Sequence, residues 1–154
     1  MIEMKRFFII MVAALTALSF SSCEKYEDGR PAKSVRNTFK DMYPDAHDVE
    51  WELQGAYWNV SFETGSRLNG IDHEAWYDKS GNWVATETEV YLNEVPENVK
   101  TALSTSEFGN YGFSDNDAEF WQTPETEFYR FDLQGNVNVD VTVNGEVSRS
   151  TFYL

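Results

Sequence analysis

The side chains best suited to chemistry in this 154-residue sequence are two histidines, several closely spaced carboxylates and one cysteine. His47 and His73 are far apart in the chain and lack the one-turn spacing that lets two imidazoles grip one metal ion, so each is read as a structural or surface residue. Glu50 with Glu52, and Glu87 with Glu89, would share a strand face, as two-carboxylate glycoside hydrolysis requires. In a chain with 26 acidic residues such pairs arise easily. A carboxylate-dependent or glycan-binding envelope protein is therefore the alternative reading. The run Ser114-Asp115-Asn116-Asp117-Ala118-Glu119 offers clustered oxygens for calcium but lacks the glycine and terminal bidentate glutamate of an EF-hand loop, and reads as an acidic turn. The sequence contains no Gly-x-Ser-x-Gly elbow, no phosphate-cradling glycine loop and no thiol free for nucleophilic work. The expectation is a protein that is not an enzyme and uses no metal or cofactor.

Cys23 has a different chemistry. Lys5 and Arg6 precede an apolar run from Phe7 to Leu18, shorter than the roughly 20 residues of a membrane-spanning helix, so residues 1–22 read as a signal peptide. Phe20-Ser21-Ser22-Cys23 then resembles the bacterial lipobox, which makes Cys23 the expected lipidation site and the cell envelope the expected location, on the periplasmic side or at the outer-membrane surface. Residues 23–33, polar and containing Gly29 and Pro31, read as the lipidated cysteine and a tether. Glu27-Asp28 also resembles the acidic signals that send some lipoproteins of the Bacteroides group to the cell surface. The formal net charge is −14, and loss of residues 1–22 makes it more negative, so nucleic acid and anionic headgroups are poor partners. Membrane association is expected through the N-terminal lipid only. With a single cysteine no internal disulfide stabilises the fold, and 16% aromatic residues supply the core instead.

The positioning elements fall into two similar series, residues 34–92 and 93–154. In the first, Val35, Phe39 and Met42 recur at helical spacing, Pro44 closes the helix, and strands are predicted at 48–53, 56–64, 72–78 and 82–91. In the second, Pro96 opens a helix bearing Val99 and Leu103, with strands at 117–122, 127–134, 137–143 and 146–153. Tyr57 to Phe62 overlays Phe128 to Leu133 in pattern, and Asp48 to Trp51 overlays Asp117 to Phe120. If Gly81 and Gly145 take the left-handed place in three-residue turns, Tyr77 faces Trp83 and Val141 faces Val147. The expected fold class is α+β, a tandem repeat of a helix plus a four-stranded antiparallel sheet.

Tyr43-Pro44-Asp45-Ala46, Val49-Glu50-Trp51-Glu52, Tyr57 to Phe62, and Glu74 to Asp78 with Gly81 and Trp83 resemble the PepSY-like family of beta-lactamase-inhibitor-like lipoproteins, over roughly residues 33–154. The resemblance implies helices packed on antiparallel sheet, as in the beta-lactamase inhibitor proteins, and no catalytic residues. The second series departs from the motif, with Phe120 in the place of Trp51 and a run of valines in the place of Glu74 to Tyr77.

Strand alternation sorts the side chains. Val49, Trp51, Leu53, Trp58, Val60, Phe62, Ala75, Tyr77 and Trp83 belong to the helix-covered face, with Ala118, Phe120, Tyr129, Phe131, Leu133, Val139 and Val141. The other face receives Glu50, Glu52, Asn59, Glu74, Glu119, Arg130 and Asp140, and four large aromatics, Tyr57, Trp76, Trp121 and Phe128. Aromatic anchors on an open sheet make these four the expected partner-binding residues for an unknown protein, peptide or glycan, in an inhibitor-like module. The competing reading is that they only pack on neighbouring stems, or that a strand has slipped register by one residue.

Overall fold

The computed structural model describes residues 24–154; the expected signal peptide and lipidation site, residues 1–22 and Cys23, lie outside them. The elements run β1 (Lys25–Tyr26), α1 (Lys33–Met42), β2 (His47–Gln54), β3 (Tyr57–Ser66), β4 (Asn69–Asp78), β5 (Trp83–Tyr91), α2 (Glu97–Thr105), β6 (Asp117–Gln122), β7 (Glu127–Leu133), β8 (Val137–Thr142) and β9 (Val147–Arg149). All strands join one nine-stranded sheet in chain order. β1 is parallel to β2, and every other pairing is antiparallel.

This corrects the expected tandem repeat of two helix-plus-four-strand units. β5 and β6 pair from Thr86↔Gln122 to Tyr91↔Asp117, so the two halves share one sheet. Separate units would have left the backbone of β5 and β6 unpaired at two inner edges, and pairing them satisfies those groups. The tether also begins differently from expectation: Lys25 and Tyr26 lie beside Glu50 and Trp51 as an edge strand. β3 and β4 run on through Gly65 and Gly70, which face each other near the hairpin tip instead of ending the strands.

Both helices cover the same face. Val35 and Phe39 of α1 sit one turn apart and pack on Val49, Trp51, Val60, Phe62, Ala75 and Tyr77. Phe39 meets Trp51 and Phe62 edge-on, at ring separations of 5.4 and 5.0 Å. Met42, expected on the same stripe, is 39% exposed. In the second half Val99 and Leu103 of α2 pack with Phe131, Leu133, Val139 and Val141.

Both hairpin registers match the expectation, with Tyr77↔Trp83 and Val141↔Val147. Gly81 has φ +100°, and an added Cβ would lie 3.0 Å from the Ser34 backbone, so the turn seats against the start of α1 only with glycine there. The Asp78 carboxylate holds the turn by accepting hydrogen bonds from the Ser80, Gly81 and Asn82 amides at 2.8, 2.8 and 2.9 Å. Those bonds, with the Asn82 side chain foremost, hold its pKa below the usual value.

Candidate binding face

With both helices on one side, the alternate residues of the sheet form a helix-free face running across β2 to β8. One row of cross-strand neighbours reads Glu50, Ser61, Glu74, Glu87, Trp121, Phe128 and Thr142. The row changes chemistry halfway, from carboxylates to aromatics, at the junction of β5 and β6.

On the carboxylate side a groove of about 380 Å³ is lined by Asp48, Glu50, Glu63, Asp72, Glu74, Glu87 and Glu89, with Ser61, Phe62 and His73. Asn59 donates to Glu74 at 3.1 Å, and Lys25 pairs with Glu50 at the sheet edge. Burial, reinforced by the charges of Glu119 and Glu74 and opposed by Arg130, pushes the Glu87 carboxyl up to about 8. Glu119 is also raised by burial, against the Trp121 N–H bond and Arg130. Glu87 is thus held protonated at neutral pH among charged neighbours.

On the aromatic side Trp76 stacks on Trp121 with centroids 5.1 Å apart and planes 19° apart, and Trp121 lies parallel to Phe128 at 6.3 Å. Each of the three is only 5% exposed. Phe152, from the tail that follows β9, stands edge-on over Trp121 and Phe128 at 5.4 and 6.1 Å. Arg130 ties the tail down: it donates to both oxygens of Asp140 at 2.8 and 3.1 Å and to the Phe152 carbonyl at 2.9 Å. Its guanidinium also lies 5.1 Å from the Trp121 ring centre.

Of the four expected anchors, Trp76, Trp121 and Phe128 meet in one cluster, and Tyr57 packs at its border. Three of them are covered, by one another and by the tail, where an open surface was expected. Phe152 was missed because residues 146–153 read as one strand; β9 ends at Arg149, and the tail turns across the sheet. Arg130 and Asp140 fall on the expected face.

The carboxylate pairs have other duties: Glu50 is paired with Lys25, and Glu52 accepts from Gln54 Nε2 at 3.3 Å. His73 is a structural histidine between Thr64 and Thr88 hydroxyls at 2.7 and 2.8 Å, stacked on Phe62. Burial lowers its pKa against the pull of Asp72.

A family model described as "Putative beta-lactamase-inhibitor-like, PepSY-like" matches residues 56–149, more than half of the chain. The chain belongs to this family. The match runs from β3 into β9 and includes the β5–β6 junction. Two solved structures from Bacteroides are similar. One, described as a "putative periplasmic" protein from Bacteroides eggerthii, is 27% identical with a TM-score of 0.66, over 79% of this chain and 89% of that one. The other, a BLIP-like protein from Bacteroides fragilis, is 23% identical with a TM-score of 0.65, over 82% of this chain and 91% of that one, and shows the shared fold. No match is found among curated proteins. In this PepSY-like chain the sheet carries α1 and α2 on one side and leaves the other free of helices, with its acidic groove and its sealed aromatic cluster.

Proposed function

We propose that this PepSY-like protein is a non-catalytic binding module of the bacterial cell envelope, anchored by lipid on Cys23, that captures a protein or peptide partner in inhibitor-like fashion on the helix-free face. The observation carrying this reading is the unbroken run of that face across the β5–β6 junction. It offers a partner one surface built from both halves. The family's inhibitor-like character and the periplasmic description of the Bacteroides eggerthii protein support the class and the compartment. In this reading the groove around Glu74 and Glu87 is the accessible part and draws basic side chains. Tyr57 stands at the border, and Trp76, Trp121 and Phe128 are the rigid floor that a partner reaches by lifting Phe152.

The test is affinity capture from detergent-solubilised envelope with wild type, Glu74→Gln/Glu87→Gln, and Trp76→Ala/Trp121→Ala, each checked for a cooperative melt. A partner held by wild type and released by the folded glutamine variant supports the reading. A partner held equally by all three places binding elsewhere and overturns it.

A further inference from the structure

At one corner of the sheet three metal-ligating side chains converge that no reaction or packing role has claimed. His47 and Glu63 are cross-strand partners on β2 and β3. Between His47 and Glu50 the register shifts, and Asp48 takes φ +51°, bringing its carboxylate beside the preceding imidazole. His47 Nδ1 lies 3.0 Å from Asp48 Oδ2 and 3.9 Å from Glu63 Oε2, and ligand atoms of all three residues lie within 4.8 Å of one another.

The surroundings choose which ring nitrogen is available. His47 Nε2 faces the Gly65 carbonyl oxygen at 3.3 Å. A carbonyl only accepts, so Nε2 is the nitrogen placed to give a hydrogen to Gly65, and Nδ1 is the nitrogen that faces the two carboxylates, with room between them for a proton or a metal ion. An N–H given to a backbone carbonyl, with the other nitrogen free, is how metal-binding histidines are usually held. Glu63 has a prepared seat too: a Cβ at Gly70 would lie 2.3 Å from Glu63 Oε2, so the carboxylate occupies space that any other residue would fill. The imidazole is partly buried, its side chain 13% exposed, while the Asp48 and Glu63 side chains reach it from the surface at 60% and 37% exposure. Among the described residues no lysine or arginine pairs with Asp48 or Glu63. Three acceptors converge with no fixed cation between them.

We infer that His47, Asp48 and Glu63 form a site for a divalent transition-metal ion of the zinc type. Zinc bonds of roughly 2.0–2.2 Å to nitrogen and oxygen imply ligand separations of about 3.4 Å in a tetrahedron, and the 3.0 and 3.9 Å separations bracket that value. One imidazole with two carboxylates suits zinc better than calcium or magnesium, which prefer all-oxygen shells. Three protein ligands leave one position open. Asp48 and Glu63 also line the acidic groove, whose field concentrates cations at the corner. The inference stands apart from the proposed partner binding, since it concerns one ion and no macromolecule.

The experiment is a Zn²⁺ titration of the full chain in detergent against a chromophoric chelator, repeated with Co²⁺ to read the ligand-field spectrum. Wild type is expected to take up one tightly held equivalent, with a Co²⁺ band of low coordination number. His47→Ala should weaken binding by about a hundredfold, and Gly70→Ala, which crowds Glu63 without removing a ligand, by about tenfold. Glu74→Gln, in the groove but outside the triad, should stay within about twofold of wild type. Melting in EDTA checks that each variant is folded, and Gly70→Ala carries the test if His47→Ala is not. If wild type takes up no zinc and imidazole NMR finds both ring nitrogens protonated, a proton is the cation and the inference fails. It fails equally if Glu74→Gln loses as much affinity as His47→Ala, because the ion is then held diffusely by the groove.

Discussion

The two halves of the helix-free face begin from the same strand parity and end in opposite states. On β2 to β5 the residues pointing away from the helices include the carboxylates around the groove, beside Tyr57, Asn59 and Trp76, and burial keeps one of those carboxyls, Glu87, protonated against the pull of Arg130. On β6 to β8 the same parity gives Trp121, Phe128, Arg130 and Asp140, and there Arg130 neutralises Asp140 while the tail seals the aromatics. The difference teaches that, with the tail in place, the chemistry open to a partner lies on the first half. The second half packs Trp121 and Phe128, together with Trp76 of β4, beneath its own tail.

The largest way to break the contrast is Arg130→Ala. Arg130 and Asp140 side chains are only 7% and 13% exposed, so removing one leaves a buried charge alone and the Phe152 carbonyl without its donor. A loss of about 3–5 kcal/mol is expected in urea denaturation; a loss below about 1 kcal/mol would mean that the tail needs no such anchor.

Glu87→Gln should act in the other direction and depend on pH. Below the ordinary carboxylate range both folded and unfolded chains are protonated, so on this count the substitution is neutral. Above it the unfolded chain loses the proton while the folded chain keeps it to about pH 8, so wild type loses stability across that window. The variant should be more stable by about 1–3 kcal/mol at pH 8, after allowance for partial solvent screening, and indistinguishable near pH 4. Equal gains at both pH values would show that ionisation is not the cause.

Phe152→Ala should cost a smaller amount, about 1–2 kcal/mol for the apolar surface uncovered, and should shift tryptophan emission to the red as Trp121 meets water. Emission unchanged from wild type would mean that the tail does not shield the cluster. The smallest effect belongs to the exposed Lys25–Glu50 pair: Lys25→Ala should shift the urea midpoint only slightly in low salt and by nothing measurable in high salt, whereas a shift that persists in high salt would mean that the pair does more than screen charge.

Alternation along the strands made much of the fold legible: Trp51, Val60, Phe62, Tyr77, Phe131 and Val141 are buried beneath helices at Val35, Phe39, Val99 and Leu103, as their period requires. The glycine turns set the Tyr77 and Val141 pairings in the same way. The joining of β5 to β6 was hidden because α2 and a long loop separate them, and pairing of backbone groups leaves no local mark on side-chain pattern. The sealing of Trp121 and Phe128 was hidden for a related reason. Phe152 alternates like a strand residue, and only the grip of Arg130 on its carbonyl turns the chain aside. The corner at His47 depends on one irregular residue, Asp48, whose positive φ no residue spacing announces.

The terminal strands of the sheet carry a further consequence. β1 has two residues and β9 three, and beyond β1 the edge of β2 is still occupied: the Glu27 amide donates to the Trp51 carbonyl at 3.1 Å, and the Asp28 carboxylate accepts from the Leu53 amide at 3.3 Å. The acidic pair that looks like an export signal is also a stopper. A bare, long β2 would invite a second copy to continue the ladder, and molecules crowded together could then polymerise strand upon strand. Charge and short length at both ends leave little open strand on which such a ladder could start.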